Sequence, residues 1–246
     1  MDEDELFEAL DESPSTNVSK PTNNYSNNYN KPNSYGNRNN TERMWDKTDF
    51  KATPVDSSKF QKSGKSFMMY GFVPYDMTVP EELVLKFTKI ASHLASKGYT
   101  FRYSGSDRDV IQNAVLAIEN LDKETYLGWP GSNKNIKEPT MKYGNESGYS
   151  TAMAYHSAFL KFKPASRAAL AAKIHAVLGV NVNDPVDLVI AYNSTGDLVL
   201  SKDTNWKNMG DLGVLIKVCK DAAIPLFNIG NEKSSKDLME YLKSLT

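Results

Sequence analysis

The chain has 246 residues, a formal net charge of −1 and 40% hydrophobic residues, enough for one sizeable domain. Cys219 is the only cysteine, which excludes an intramolecular disulfide and makes a reducing, cytoplasmic setting the simplest home. No segment approaches the length of a membrane span, and the acidic start contradicts the basic, apolar pattern of a secretory signal, so a soluble protein without membrane contact is expected.

Residues 1–12 place Leu6, Phe7 and Leu10 at helical spacing among carboxylates. They read as an acidic amphipathic peptide that docks on a protein partner, or as a solubilising terminus. Residues 13–43 are dominated by Asn, Ser, Pro and isolated Tyr. With almost no aliphatic side chain to bury, they read as a disordered linker. Residues 44–65 regain aromatic residues and read as an extended arm lying on the domain, with Trp45, Phe50 and Phe60 as anchors. Charge divides unevenly along the chain. Residues 1–60 carry 11 acidic and 7 basic residues, a balance of −4, and the rest carries 19 and 22, a balance of +3. A domain this weakly basic lacks the footprint of strong nonspecific DNA binding.

From Ser66 to the end, residues 66–246, the pattern is that of an α/β domain. Phe67 to Val73 is a short apolar run, Pro80 opens a helix with Leu83, Phe87, Ile90 and Leu94 on its buried face, and Gly98 sits at its C-cap. Tyr99 to Tyr103 is the next strand. A helix from about Asp107 to Asn120 turns Val110, Ala114, Val115 and Ile118 inward. Glu124 to Trp129 is a third strand, and the polar, Gly-containing stretch Lys134 to Ser150 reads as an exposed functional loop. Pro164 to Leu178 forms a helix ended by Gly179, and Val186 to Tyr192 is the clearest buried strand. Asn208 or Gly210 starts another helix, Ile224 to Ile229 is the last strand, and Ser234 or Ser235 caps a terminal helix. This alternation predicts a Rossmann-like α/β fold, a mostly parallel sheet with helices on both faces, preceded by the tail.

Several local stretches resemble the SLOG superfamily, the Rossmann-like fold shared by the DNA-processing protein DprA, the lonely-guy nucleotide hydrolases and many phage and bacterial proteins. The likeness runs from about Ser66 to Leu245. Ala95 to Gly98 followed by Tyr99 to Gly105 is similar to the family's strand and glycine turn, with Ser104-Gly105-Ser106-Asp107 in place of Ser-Gly-Gly-Ala. Trp129 to Asn133 is similar to a Pro/Trp loop of phage-type members. His175 to Gly179 with Asp184 to Ile190, and Ile224 to Ile229, are similar to two further family stretches, and Met209 to Gly213 stands at the second glycine-rich helix start. The resemblance implies a phage-type protein that binds a nucleotide-derived ligand or single-stranded DNA, with a homo-oligomer possible. The hydrolases' Pro-Gly-Gly-x-Gly-Thr loop and its catalytic Glu and Arg have no counterpart in register, and Asp211 stands where a phosphate would need an N–H donor. Binding without catalysis, with no cofactor and no catalytic residue assigned, is therefore the leading expectation. A nucleotide- or NAD-processing hydrolase and a structural protein on a degenerate fold are the alternatives.

Ligands of open α/β sheets bind outside the carboxyl ends of the strands. The expected ligand-binding residues are therefore Gly71, Phe72, Ser104, Gly105, Ser106, Asp107, Arg108, Trp129, Asn193, Gly210 and Gly213. Arg102 or Arg108 adds charge for a phosphate, and Phe72, Tyr103, Trp129, Tyr192 and Trp206 are candidates to stack on a base. Lys134, Lys137, Lys142, Lys161, Lys163 and Arg167 form a candidate basic rim. Asp107 and Asp109 read as helix-dipole residues rather than as an acid–base pair. His93, His156 and His175 have no metal-ligand spacing, so no metal is expected.

Overall fold

The computed structural model describes residues 47–72, 79–105, 109–133, 142–200 and 209–245. The readings of residues 1–12 and 13–43, and the anchor Trp45, lie outside the described residues. Among these the chain forms six strands: β1 (Ser66–Phe72), β2 (Thr100–Tyr103), β3 (Lys123–Leu127), β4 (Lys142–Tyr143), β5 (Leu188–Asn193) and β6 (Leu226–Asn228). They make one sheet in the order β4-β3-β2-β1-β5-β6, with every pairing parallel. The helices are α1 (Glu81–Ser96), α2 (Val110–Leu116), α3 (Glu146–Tyr155), α4 (Pro164–Leu178), α5 (Leu212–Asp221) and α6 (Glu232–Lys243). This is a Rossmann-like α/β arrangement, and none of the described helices is long and apolar enough to cross a membrane.

Strand alternation builds two cores. Phe67, Met69, Phe101, Tyr103, Leu188 and Ile190 face α1, α2 and α6, while Met68, Tyr70, Val189 and Ala191 face α3, α4 and α5. Strands buried on both faces read as continuous apolar runs, which is why β1 and β5 stand out in the sequence. Across the α3/α4 side runs the arm. Phe50 stacks on Tyr149 at 4.9 Å, the Val55 N–H donates to the Tyr155 hydroxyl, and the Gln61 N–H donates to the Asn183 carbonyl. Phe60 packs against the same core.

Three local expectations are corrected. Lys134 to Ser150 is not all exposed loop: β4 and the first half of α3 lie within it, and Tyr149 and Ser150 are buried. Asn145 caps α3 by accepting from the Ser147 N–H, and Gly148 lets the helix approach His175, whose Nε2 would lie 2.3 Å from an added Cβ. The helix expected over Asp107 to Asn120 is shorter. Asp109 is its N-cap, Ile111 and Gln112 turn inward, and Val110 is 51% exposed. The last helix is capped by Asn231 rather than by Ser234 or Ser235, whereas the Ser234 hydroxyl accepts from the Asn228 N–H.

Candidate functional site at the carboxyl edge

Strands β2 to β4 extend from one side of β1, and β5 and β6 from the other. The strand order therefore reverses between β1 and β5, where Gly71 pairs with Tyr192 and Phe72 with Asn193. A crevice outside the carboxyl ends is the usual consequence of such a switch.

The glycines at this edge are tightly packed. An added Cβ on Gly71 would lie 2.2 Å from Ile111 Cδ1, and one on Gly105, where φ is +68°, would lie 2.1 Å from Leu127 Cδ2 and 2.9 Å from the Tyr126 carbonyl. On Gly210 it would lie 2.5 Å from the Phe72 ring. These positions need glycine for protein packing, and the half-buried Phe72 is the ring that fills the gap over Gly210. Gly213 is buried in the first turn of α5. Ser106, Asp107, Arg108 and Trp206 lie outside the described residues.

Gln112 ties the ends of β1 and β2 together. Its Nε2 donates to the Met69 carbonyl at 2.6 Å, and its Oε1 accepts from the Ser104 hydroxyl at 2.9 Å. Tyr103 is fully buried: its hydroxyl donates to Asn113 Oδ1 and accepts from Asn133 Nδ2, so it presents no face for base stacking. Asn193 is also fully buried. Its amide engages Thr195, Met209 and Asn228, and Asn228 in turn holds the Gly230 N–H and the Asp197 carbonyl. Trp129 and Tyr192 are half-buried, each packed on one of the two cores.

The charges are arranged differently from the sequence reading. Arg102 does not reach the carboxyl edge of the sheet. It lies buried on the α4 side, with Nε 2.8 Å from Glu124 Oε2 and both terminal nitrogens on Asp184, near the amino ends of the strands. Arg167 is buried and donates to the Lys47 carbonyl at 2.8 Å, and Lys142 pairs with Glu124. Neither belongs to a free basic rim; Lys161 and Lys163 are exposed, and Lys134 and Lys137 are outside the described residues.

Two groups gather at the switch instead. Asp109 is 5% exposed, caps α2 through the Gln112 N–H at 2.9 Å, and accepts from the Gly71 N–H at 3.4 Å. Burial pushes its carboxyl up to about 6, against the opposing pull of that cap bond and of the Lys173 ammonium. Lys173 is 7% exposed, pairs with Asp211 at 2.7 Å and lies 5.6 Å over the Tyr70 ring. So Asp211, read as a barrier to phosphate, is a counter-ion at the start of α5. No family model, curated protein or solved structure matches this chain.

Lys173 was missed because a lysine in the run Ala171-Ala172-Lys173-Ile174 reads as a solvated helix position. The available signal was that it is the only charged residue between Arg167 and Leu178. Elsewhere, His175 is neutral and structural. Its Nε2 accepts from the Asn145 N–H, so Nδ1 carries the proton and donates to the Gly179 carbonyl, and burial lowers its pKa. Among the described residues no group of three or more His, Cys, Asp or Glu side chains is placed to hold a metal ion.

Proposed function

We propose that this protein binds a nucleotide-derived small molecule at the carboxyl edge, between the ends of β1 and β5, as a noncatalytic relative of the SLOG proteins. The observation that carries this reading is the convergence of Asp109, Lys173 and Asp211 on the point where the strand order reverses. Buried ion pairs are weak contributors to stability, and apolar residues of similar volume hold such places at least as well. A buried carboxyl displaced from its ordinary range beside a buried lysine, at the carboxyl ends of the strands, is the pattern of a binding site.

Single-stranded DNA is the lesser form of this reading. Arg102 and Arg167 are buried in internal contacts and Lys142 is paired, which leaves few described cations for a phosphate backbone. The hydrolase alternative draws support from one observation, a buried carboxyl that titrates near pH 6 just beyond the Ser104-Gly105 turn.

Native mass spectrometry and thermal unfolding of the full chain, with AMP, NAD⁺, ADP-ribose and an oligothymidylate, test the reading. A nucleotide at about a hundred times its Kd adds about 2.7 kcal/mol of stability, and Lys173→Met removes that gain. Stabilisation by the oligonucleotide alone favours the DNA form. Ligand turnover lost in Asp109→Asn favours the hydrolase, and no response to any of the four overturns ligand binding of this class.

A further inference from the structure

The described chain begins at Lys47, and the Arg167 guanidinium holds its carbonyl beside the first turns of α4. That helix starts at the carboxyl edge, where Ala168 packs on Gly128 just past β3, and it ends near the amino edge, where the Val186 N–H donates to the Val177 carbonyl. Lys47, the first described residue, therefore lies at one defined corner of the domain, next to the segment Leu160 to Ser166.

That corner is basic and partly apolar. Lys161 and Lys163 are exposed, Lys51 is exposed on the arm, and Lys47 is half-exposed; the acidic residues beside them in the chain are Asp46 and Asp49. Leu160 is 42% exposed, Phe162 is half-buried against His156, and Pro164 and Ala165 are exposed. The first turn of α4 contains no acidic residue. Residues 2–12 are the complement of this surface, with seven carboxylates around Leu6, Phe7 and Leu10.

We propose that residues 2–12 dock in cis on the face formed by Leu160, Lys161, Phe162 and Lys163, with their carboxylates on the two lysines and their apolar side chains on Leu160 and Phe162. The tether permits it. A random coil of the length of residues 13–46 spans roughly 30 Å, enough to reach the surface around the start of α4. A short flexible tether gives an effective concentration on the order of 1 mM. A contact with Kd of about 0.1 mM, ordinary for a short charged peptide, is then about nine-tenths occupied.

Zero-length carbodiimide cross-linking of the full chain, using an equal mixture of ¹⁴N- and ¹⁵N-labelled protein, tests this docking. The expected result is cross-links from the carboxylates of residues 2–12 to Lys161 and Lys163, isotopically unmixed, at about tenfold the yield of links to Lys233 and Lys243 on α6. In about 0.5 M salt, where surface charges are screened within a few ångströms, that preference falls to parity. The surface variant Lys161→Gln/Lys163→Gln, with the remaining lysines as acceptors, shows no compensating rise at α6. Equal yields at Lys161 and Lys163 and at the α6 lysines in the wild type overturn the proposal, and isotopically mixed links overturn docking in cis in favour of a second copy.

Discussion

The two edges of the sheet handle charge in opposite ways. On the amino side Arg102 is held by Glu124 and Asp184, Lys142 shares Glu124, Ser63 donates to Asp184, and Asp187 takes Lys62 and the Ser66 N–H. Burial would raise the Asp184 carboxyl, but the Ser63 bonds and the Arg102 guanidinium outweigh it and hold the group below its ordinary value. At the carboxyl edge the balance reverses. Asp109 has one short cap bond, one long bond and a lysine that is itself paired with Asp211, so burial wins and the carboxyl rises to about 6. The charges of one edge satisfy one another, whereas the other edge keeps a buried carboxyl whose ionised form its neighbours do not offset.

The sharpest way to break this contrast is Arg102→Met. It leaves Glu124 and Asp184 without their shared cation inside the α4 packing. Removing one member of a buried charge network costs about 3–5 kcal/mol, measured as a drop in the urea midpoint at constant m-value. A loss under about 1 kcal/mol would mean that this edge is as loosely satisfied as the other.

Asp109→Asn should move stability in the other direction. The folded carboxyl titrates at about 6, above its unfolded value. Below about pH 4 both states are protonated and the group is neutral to stability; between about pH 4 and 6 only the unfolded state ionises, and above about pH 6 the penalty is complete. A rise of about two units corresponds to about 3 kcal/mol at most. Asparagine still caps α2, but its NH₂ faces the Gly71 N–H, which leaves a net gain of about 1–2 kcal/mol at pH 7.5. The wild type should lose stability from pH 4 to 7.5 relative to the variant. Parallel pH profiles for the two proteins would show that Asp109 carries no such penalty.

The same contrast explains what the sequence disclosed. β1 and β5 are apolar runs buried on both faces, α1 repeats Leu83, Phe87, Ile90 and Leu94 at helical spacing, and the Ser104-Gly105 turn shows its glycine. α3 hid because Glu146 to Tyr155 mixes small and polar residues that are buried by the arm on one side and by α4 on the other, so no stripe forms. Arg102 was placed in the crevice by its nearness to the turn, yet alternation turns it toward the α4 side, to a partner 82 positions away. Asp109 read as a helix-dipole residue, but its role as the N-cap of α2 and its burial depend on Gly71 and Gln112 closing around it, which no local pattern reveals. The carboxylate pairing of Lys173 likewise depends on a second helix.

Two glycines of the carboxyl edge separate packing from turn geometry, with the smallest effects. Gly105 and Gly131 both have positive φ, at +68° and +79°. An alanine at Gly131 meets nothing within 4 Å, so Gly131→Ala should cost only the left-handed penalty of about 1 kcal/mol. Gly105→Ala carries the same penalty and forces a methyl against Leu127 and the Tyr126 carbonyl, which adds about 1–3 kcal/mol of overpacking. Thermal unfolding of the two variants reads the difference directly. Equal losses would mean that Leu127 yields at no cost and that Gly105 serves only the turn. The larger loss would make Gly105 part of the packing that holds β2 against β3, so that its glycine is required by Leu127 and the Tyr126 carbonyl as well as by the turn.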